Sequence, residues 1–256
     1  MHYERLGEGP RLLVFNGSGA TIASARPLID FLAQSFEVLV HDQRGLGLTG
    51  LPASPDSFTM AAYAADAAAL LDHAGWPPAR IFGISFGGMV AQEFAVTWPE
   101  RVERLALLCT SPGGEGGSSY LLHELEGMAP DERAGIWLRN LDTRFTPQWL
   151  STHPGDQALV EQVRAREAST MTPDQMPGIR LQLQARSHHD VWSRLDRIRC
   201  PTLVACGRYD GVAPAANSEA IASQIPGSEL HCYEGGHLFV AQDPRALAEI
   251  VAFLSG

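Results

Sequence analysis

Positive charge is scarce in this chain. Its 256 residues carry 19 Lys and Arg against 29 Asp and Glu, which gives a formal net charge of −10. Nucleic-acid affinity comes largely from cations that neutralise phosphates, so an acidic surface of this kind would be repelled. The composition therefore predicts that nucleic acid is not a partner.

Long apolar runs are also missing. No stretch approaches the roughly 20 apolar residues that a membrane-spanning helix needs. The first residues, Met1-His2-Tyr3-Glu4-Arg5, lack the basic and apolar regions of a secretion signal. We therefore expect a cytoplasmic protein without a membrane partner.

Cysteine is sparse as well. The chain has four, with no Cys-x-x-Cys and no His-x-x-x-His spacing of the kind that holds zinc. Cys109, Cys206 and Cys232 lie in apolar, strand-like segments, which predicts free buried thiols in a reducing compartment. We predict neither a metal nor another cofactor.

Short strand-like runs alternate with helix-length segments over most of the chain. Such alternation predicts a mainly parallel α/β sheet with helices on both faces. The predicted strands are Leu12–Phe15, Phe36–Val40, a run around Ile81, Leu105–Cys109, and runs around Leu203 and Leu230. The predicted helices are Thr21–Ser35, Thr59–Ala74, Gly87–Trp98, Ala215–Ser223 and Pro244–Leu254.

This alternation breaks between residues 113 and 190. A glycine-rich entry is followed only by helix-like runs, and the segment is too long for a structureless loop. We predict a helical cap at 113–190, inserted over the catalytic edge of a core formed by 1–112 and 191–256. The cap helices are predicted at Tyr120–Met128, Pro130–Asn140, Pro147–Thr152, Asp156–Ala168 and Thr172–His188, the last with a capping box at its start.

Residues 83–87 read Gly-Ile-Ser-Phe-Gly, between a strand-like run and a helix-like run. In that context, G-x-S-x-G is typical of a sharp turn that exposes a serine hydroxyl for attack on a carbonyl. The two glycines relieve crowding where the chain reverses. The following helix points its N-terminus at the turn, which favours developing negative charge.

A serine between glycines is usually just a turn, but two partners follow in order. Asp210 lies in Gly-Arg-Tyr-Asp-Gly after one predicted strand, and His237 lies in Gly-Gly-His after the next. The order Ser, Asp, His is that of the α/β-hydrolases. Functional groups of an open α/β sheet collect past the carboxyl ends of its strands. We therefore expect Ser85, Asp210 and His237 to meet there.

Six motifs together resemble the α/β-hydrolase-fold enzymes over nearly the whole chain. Within that superfamily, the sequence is similar to 3-oxoadipate enol-lactonases and cofactor-free, haloperoxidase-like serine esterases. The resemblance implies a mostly parallel, eight-stranded sheet flanked by helices, with an inserted helical cap. The motifs are Phe15–Gly19, Asp42–Gly47, Gly83–Gly87, Trp98–Val102, Gly207–Asp210 and Gly236-His237.

The resemblance also implies roles by position. Ser85 would be the nucleophile, His237 the general base and then the general acid, and Asp210 the carboxylate that orients the imidazole. The oxyanion hole would consist of the backbone N–H groups of Phe86 and Ser18.

One feature departs from the family pattern. Many relatives carry His-Gly where this chain has Asn16-Gly17, but the oxyanion hole uses backbone donors, which the change leaves in place. We interpret Asp42 and Arg44 as structural, bracing loops near the site.

The substrate-binding residues are predicted from their position in the chain. Residues beside the three catalytic positions and the apolar residues of the cap are expected to face the substrate. We interpret His188-His189-Asp190 as a junction of cap and core, with one histidine at the pocket. The predicted substrate-binding residues are Gly17, Met89, Ser111, Trp137 and Leu238.

These residues predict a serine hydrolase that cleaves a small carboxylic ester or lactone through an acyl-enzyme. Two alternatives stay open. One is an amidase or peptidase like the proline iminopeptidases, which share Asp-Gln-Arg-Gly but usually show a His-Gly-Gly-Pro-Gly loop that is absent here. The other is a small-molecule sensor with slow turnover that signals through a protein partner. The oligomeric state is left open.

Overall fold

A twisted sheet with one antiparallel edge forms the centre of the molecule. The computed structural model describes residues 1–76, 78–125, 127–170 and 172–256. In these ranges the sheet has seven strands in the order β1-β3-β2-β4-β5-β6-β7, and all neighbours are parallel except β1 and β3. The strands are β1 (Tyr3–Leu6), β2 (Arg11–Phe15), β3 (Glu37–His41), β4 (Ala79–Ile84), β5 (Val102–Leu108), β6 (Thr202–Gly207) and β7 (Glu229–Tyr233).

Helices follow the strands and cover both faces of the sheet. Four of them, α4 to α7, come between β5 and β6. The helices in the described ranges are α1 (Arg26–Leu32), α2 (Met60–His73), α3 (Phe86–Thr97), α4 (Pro130–Leu141), α5 (Pro147–Thr152), α6 (Pro154–Thr170), α7 (Met176–Ser187), α8 (Ala215–Gln224), α9 (Phe239–Gln242) and α10 (Ala246–Ser255). None of them combines the length and hydropathy that a membrane crossing requires.

The hydrophobic core lies on both sides of the sheet because side chains alternate along each strand. On β2, Leu13 and Phe15 pack in a cluster with α2 and α3. Leu12 and Val14 point the other way and pack with α1 and α10. All four side chains are fully buried. The α/β class predicted from the alternation is confirmed.

The predicted count of eight strands is wrong for the described residues, which form seven. The segment between β1 and β2 turns instead of pairing, since Gly7 and Gly9 both have positive φ. A Cβ at Gly7 would lie 2.3 Å from the carbonyl oxygen of Phe36. The chain passes from β1, at the antiparallel edge beyond β3, through this tight turn into β2.

The segment between β5 and β6 is helical, and a single β-bridge between Gly113 and Asp190 joins its two ends. The division into core and cap at 113 and 190 stays a prediction. The predicted helix at Tyr120–Met128 is wrong for the described residues of that range, where a 3-10 turn forms at Leu122–Leu125.

The predicted capping box is also absent, because α7 begins at Met176. The Gln175 side chain that the box needs binds the backbone of Gly47 instead, accepting from its N–H at 2.6 Å.

The cysteines are all free thiols, as expected. Cys109 and Cys206 are buried, but Cys232 is exposed, so the prediction of a buried thiol is wrong for that residue. Its strand, β7, lies at the edge of the sheet, where a side chain can face solvent.

Phe94 of α3 provides a test of this core. Its fully buried ring lies between Phe15, with ring centroids 6.4 Å apart, and Trp98, at 5.3 Å. We expect Phe94→Ala to lower the free energy of unfolding by roughly 3–5 kcal/mol, measured by urea denaturation, because it removes buried apolar area and leaves a cavity. Leu48→Ala, at a position that is 78% exposed, should change it by less than about 0.5 kcal/mol. Equal effects of the two variants would contradict the packing described.

Candidate active site

Ser85 lies on the turn between β4 and α3 in a backbone conformation that side chains rarely adopt, with φ +56° and ψ −118°. The glycines on either side are sterically required. A Cβ at Gly83 would lie 2.6 Å from the carbonyl oxygen of Gly87. A Cβ at Gly87 would lie 2.1 Å from that of Phe15. Only glycine at both positions lets α3 pack this closely against the strand ends.

Hydrogen bonds hold the Ser85 backbone from both sides. Its N–H donates to the carbonyl of Leu108 at 2.8 Å, at the end of β5. Its carbonyl accepts from the Thr110 hydroxyl at 2.9 Å and from the Gly88 N–H at 2.9 Å. A strained residue persists only where its surroundings over-determine it, and these bonds meet that condition.

The structure brings the side chains of Ser85, His237 and Asp210 together. The Nε2 of His237 is 2.9 Å from the Oγ of Ser85, and its Nδ1 is 2.8 Å from the Oδ2 of Asp210. The Asp210 side chain is fully buried, and that of His237 is 13% exposed. The three residues come from turns after β4, β6 and β7, at the carboxyl ends of these parallel strands.

Asp210 is fixed by its own loop. Its Oδ1 accepts the N–H groups of Val212 and Ala213, each at 2.8 Å, which leaves Oδ2 for the imidazole. The loops after β6 and β7 are in direct backbone contact, since a Cβ at Gly207 would lie 2.0 Å from the carbonyl oxygen of Gly236. Main-chain packing between these two loops thus fixes the carboxylate of Asp210 relative to the imidazole of His237.

This arrangement can activate a serine hydroxyl. A neutral imidazole can take the hydroxyl proton and later return it to a leaving group. A buried carboxylate on the other ring nitrogen orients the imidazole and stabilises its protonated form. The same geometry serves acyl transfer from esters, lactones and amides.

Cys109 is the third member of a group of potential metal ligands with Asp210 and His237, whose donor atoms lie within 4.8 Å of one another. Burial raises the pKa of the Cys109 thiol well above its usual value. A metal would need the thiolate. The group therefore favours a protonated thiol close to Asp210 and His237 over a metal centre.

The loop after β2 lies beside Ser85, because a Cβ at Gly17 would lie 3.5 Å from the Cβ of Ser85. The two N–H groups predicted for the oxyanion hole, those of Ser18 and Phe86, have no acceptor within the described ranges. The Phe86 N–H is also the first of α3, where the helix dipole favours an anion. The role of the two N–H groups as an oxyanion hole stays a prediction.

Two glutamines hold this loop in place. Gln43 donates to the carbonyl of Asn16 at 3.1 Å, and Gln182 accepts from the N–H of Gly19 at 2.7 Å. Gln182 also donates to the Oε1 of Gln43 at 2.6 Å. The sequence pattern did not indicate a role for Gln182. This glutamine of α7 is fully buried, and its role is recognised only once α7 is seen to pack over the loop.

The turn after β3 has the bracing role that the sequence suggested. The two carboxylate oxygens of Asp42 accept the N–H groups of Ile22 at 2.7 Å and Leu48 at 2.9 Å. Arg44 forms a bidentate pair with Asp66, at 2.7 and 2.8 Å.

Four of the five residues predicted to bind substrate lie in two groups. Met89 and Ser111 line a narrow cleft together with Arg186. Trp137 and Leu238 pack on an apolar cluster of the helical segment that includes Phe145. Gly17 is beside Ser85, as described above. Their contact with substrate stays a prediction.

His189 lines the same cleft as Met89, whereas the neighbouring His188 is exposed. Burial lowers the pKa of His189 to about 3, and the positive charges of Arg194 and Arg186 contribute to the shift. His189 is therefore neutral in the folded protein at ordinary pH.

Comparison with known proteins places this geometry in context. Residues 10–238 match a family model described as "Serine aminopeptidase, S33". The poly(3-hydroxyalkanoate) depolymerase of Ectopseudomonas oleovorans is 29% identical over 94% of this chain and 82% of its own. The 3-oxoadipate enol-lactonase 2 of Acinetobacter baylyi is 26% identical over 98% and 91%. The crystal structure of a hydrolase from Pseudomonas aeruginosa has a TM-score of 0.79 and 30% identity, over 99% of this chain and 94% of that one.

The low pKa of His189 predicts acid sensitivity. The unfolded chain binds a proton at this residue near pH 6.5, whereas the folded chain does so only near pH 3. The free energy of unfolding therefore decreases as the pH falls below about 6.5. At pH 5, this residue accounts for a loss of about 2 kcal/mol. Between pH 7 and pH 5, we expect the free energy of unfolding to fall by about 1–2 kcal/mol more in the wild type than in His189→Gln.

The exposed neighbour supplies the control for this measurement. His188→Gln should follow the wild-type pH dependence in urea denaturation at each pH, because the residue is exposed. An unchanged pH dependence in His189→Gln would contradict the buried, neutral state of this histidine.

Proposed function

Since this chain belongs to the serine aminopeptidase S33 family of hydrolases, within the α/β-hydrolase superfamily, we propose that it cleaves a small carboxylic ester or lactone through an acyl-enzyme. The observation that carries the proposal is the continuous hydrogen-bonded path from Ser85 through His237 to Asp210. Relatives named as a depolymerase of a polyester and as an enol-lactonase support an ester bond as the target.

In the first half of the reaction, the Oγ of Ser85 attacks the acyl carbon and its proton passes to the Nε2 of His237. Asp210 stabilises the imidazolium that forms. The oxyanion is held by the N–H groups of Ser18 and Phe86, and loss of one such donor costs ~2.7–4 kcal/mol of barrier. The carbon–oxygen bond to the leaving group then breaks, and His237 returns the proton to the departing alcohol.

In the second half, water replaces the alcohol. His237 takes a proton from water, the hydroxide attacks the acyl-enzyme, and the acid departs as Ser85 regains its proton. These steps need only side chains, backbone donors and water, so the proposal involves no cofactor. A small-molecule substrate and a cytoplasmic location remain part of the same proposal.

Ser85→Ala tests the nucleophile. We expect it to lower kcat for p-nitrophenyl butyrate at least ~10³-fold, because the hydroxyl that forms the covalent bond is gone. Labelling by a fluorophosphonate probe should disappear, with the melting temperature within a few degrees of wild type. Ser151→Ala, an exposed serine on α5, is the matched control and should retain labelling and rate. Wild-type turnover by Ser85→Ala would refute the proposal.

An amide substrate is the second candidate, favoured by the aminopeptidase description of the family. A panel of p-nitrophenyl esters, lactones and aminoacyl p-nitroanilides separates the two. We expect kcat/KM to be highest for esters or lactones. Faster cleavage of the anilides would favour the amidase, and turnover of none of these substrates would contradict a hydrolytic role.

A further inference from the structure

Two free thiols lie next to each other on the last two strands of the sheet. Cys206 of β6 and Cys232 of β7 are partners in the parallel register of these strands. Paired residues of neighbouring strands point to the same face of the sheet, and so do residues two apart on one strand. This is the face of Val204, which packs in one cluster with Ile221 of α8. Both thiols therefore lie on the face that α8 covers.

The two thiols differ in their access to solvent. Cys206 is 1% exposed, whereas Cys232, on the edge strand, is exposed. Burial raises the pKa of the Cys206 thiol to about 12, and the neighbouring Cys232 contributes to this shift. An oxidant that arrives from solvent therefore reaches Cys232 first, with a protonated thiol directly beside it.

The spacing of the strands is compatible with a covalent bond between the two sulfur atoms. Neighbouring strands lie about 4.7–4.9 Å apart. Residues joined by a disulfide have Cα atoms roughly 4.4–6.8 Å apart. The register thus places this pair within the range without any rearrangement of the chain between β6 and β7.

We propose that Cys206 and Cys232 are a reversible oxidation site, at which hydrogen peroxide converts the two thiols into a disulfide. In the first step, the sulfur of Cys232 attacks one peroxide oxygen and the O–O bond breaks, which gives a sulfenic acid and water. In the second step, the sulfur of Cys206 attacks the sulfenic sulfur. The S–S bond forms, and the hydroxyl leaves with the Cys206 proton as a second water. Peroxide accepts both electrons, and cellular thiols reverse the reaction.

The pair lies beneath the two loops that carry Asp210 and His237. Cys206 precedes Gly207 at the end of β6, and Cys232 precedes the last residue of β7. A disulfide needs Cβ atoms roughly 3.8 Å apart, less than the strand spacing, so it draws the strands together. The backbone of Gly207 already lies against that of Gly236, where a Cβ would be 2.0 Å from the carbonyl oxygen. The loops must then shift, so we expect oxidation to slow the hydrolysis proposed above.

Peptide mapping tests the oxidation site directly. The whole protein is treated with hydrogen peroxide, its remaining thiols are blocked with iodoacetamide, and it is digested without reductant. We expect a peptide in which Cys206 is linked to Cys232, loss of two of the four free thiols, and recovery of both with dithiothreitol. Cys206→Ala and Cys232→Ser should give no linked peptide. Cys200→Ala, which removes a partly buried thiol outside the pair, should give it as the wild type does.

The order of the two steps has its own readout. In Cys206→Ala, the sulfenic acid of Cys232 has no partner, so dimedone should label Cys232 much more strongly than in the wild type. Three results would overturn the proposal. They are sulfinic acid on Cys232 in the wild type without a linked peptide, a disulfide between two molecules, and a link from either residue to another cysteine.

The effect on turnover is measured with p-nitrophenyl butyrate. Peroxide should lower kcat of the wild type roughly 10- to 100-fold, the effect of a small misplacement of catalytic groups, and dithiothreitol should restore it. Cys232→Ser, treated in the same way, should keep its rate. A linked peptide with an unchanged rate would refute the coupling to the site. If the reduced wild type hydrolyses no ester, the proposed function is wrong, whereas the peptide map decides the oxidation site independently.

Discussion

The position of Ser85 depends on the close contact between the first turn of α3 and the end of β2. The carbonyl of Phe15 lies where any Cβ at Gly87 would be, so no other residue is compatible with this packing. Helix α3 is buried from Phe86 to Val96, and this burial offsets the strain of the Ser85 backbone. The same contact brings the loop after β2, with its free N–H groups, beside the hydroxyl. The position of the Ser85 hydroxyl is therefore a consequence of core packing.

The positions of His237 and Asp210 depend on a second contact, between the loops after β6 and β7. That contact extends into the helical segment, because the backbone N–H of His237 donates to the carbonyl of Leu141 at 2.6 Å. Gln182 of α7 does the same for the loop beside Ser85. The helical segment between β5 and β6 thus does more than cover the site. It takes part in positioning both the imidazole of His237 and the loop after β2.

The sequence was informative wherever a feature depends on local backbone geometry. The glycines around Ser85 and the order of Ser85, Asp210 and His237 predicted which side chains would meet. It was uninformative where a side chain has several possible partners. Gln175 was expected to cap α7 but binds Gly47, more than a hundred residues away in the chain. Arg186 looked like one more arginine on a helix, because burial and pairing are properties of the tertiary packing.

Arg186 also bears on the electrostatics of the proposed triad. Its charge acts on Asp210, the carboxylate that must stabilise the imidazolium of His237. An uncompensated cation nearby opposes that stabilisation, since like charges in a buried site interact strongly. Arg186 is buried, and its Nε and Nη2 have no hydrogen-bond partner within the described ranges, so its charge is also costly to the folded state.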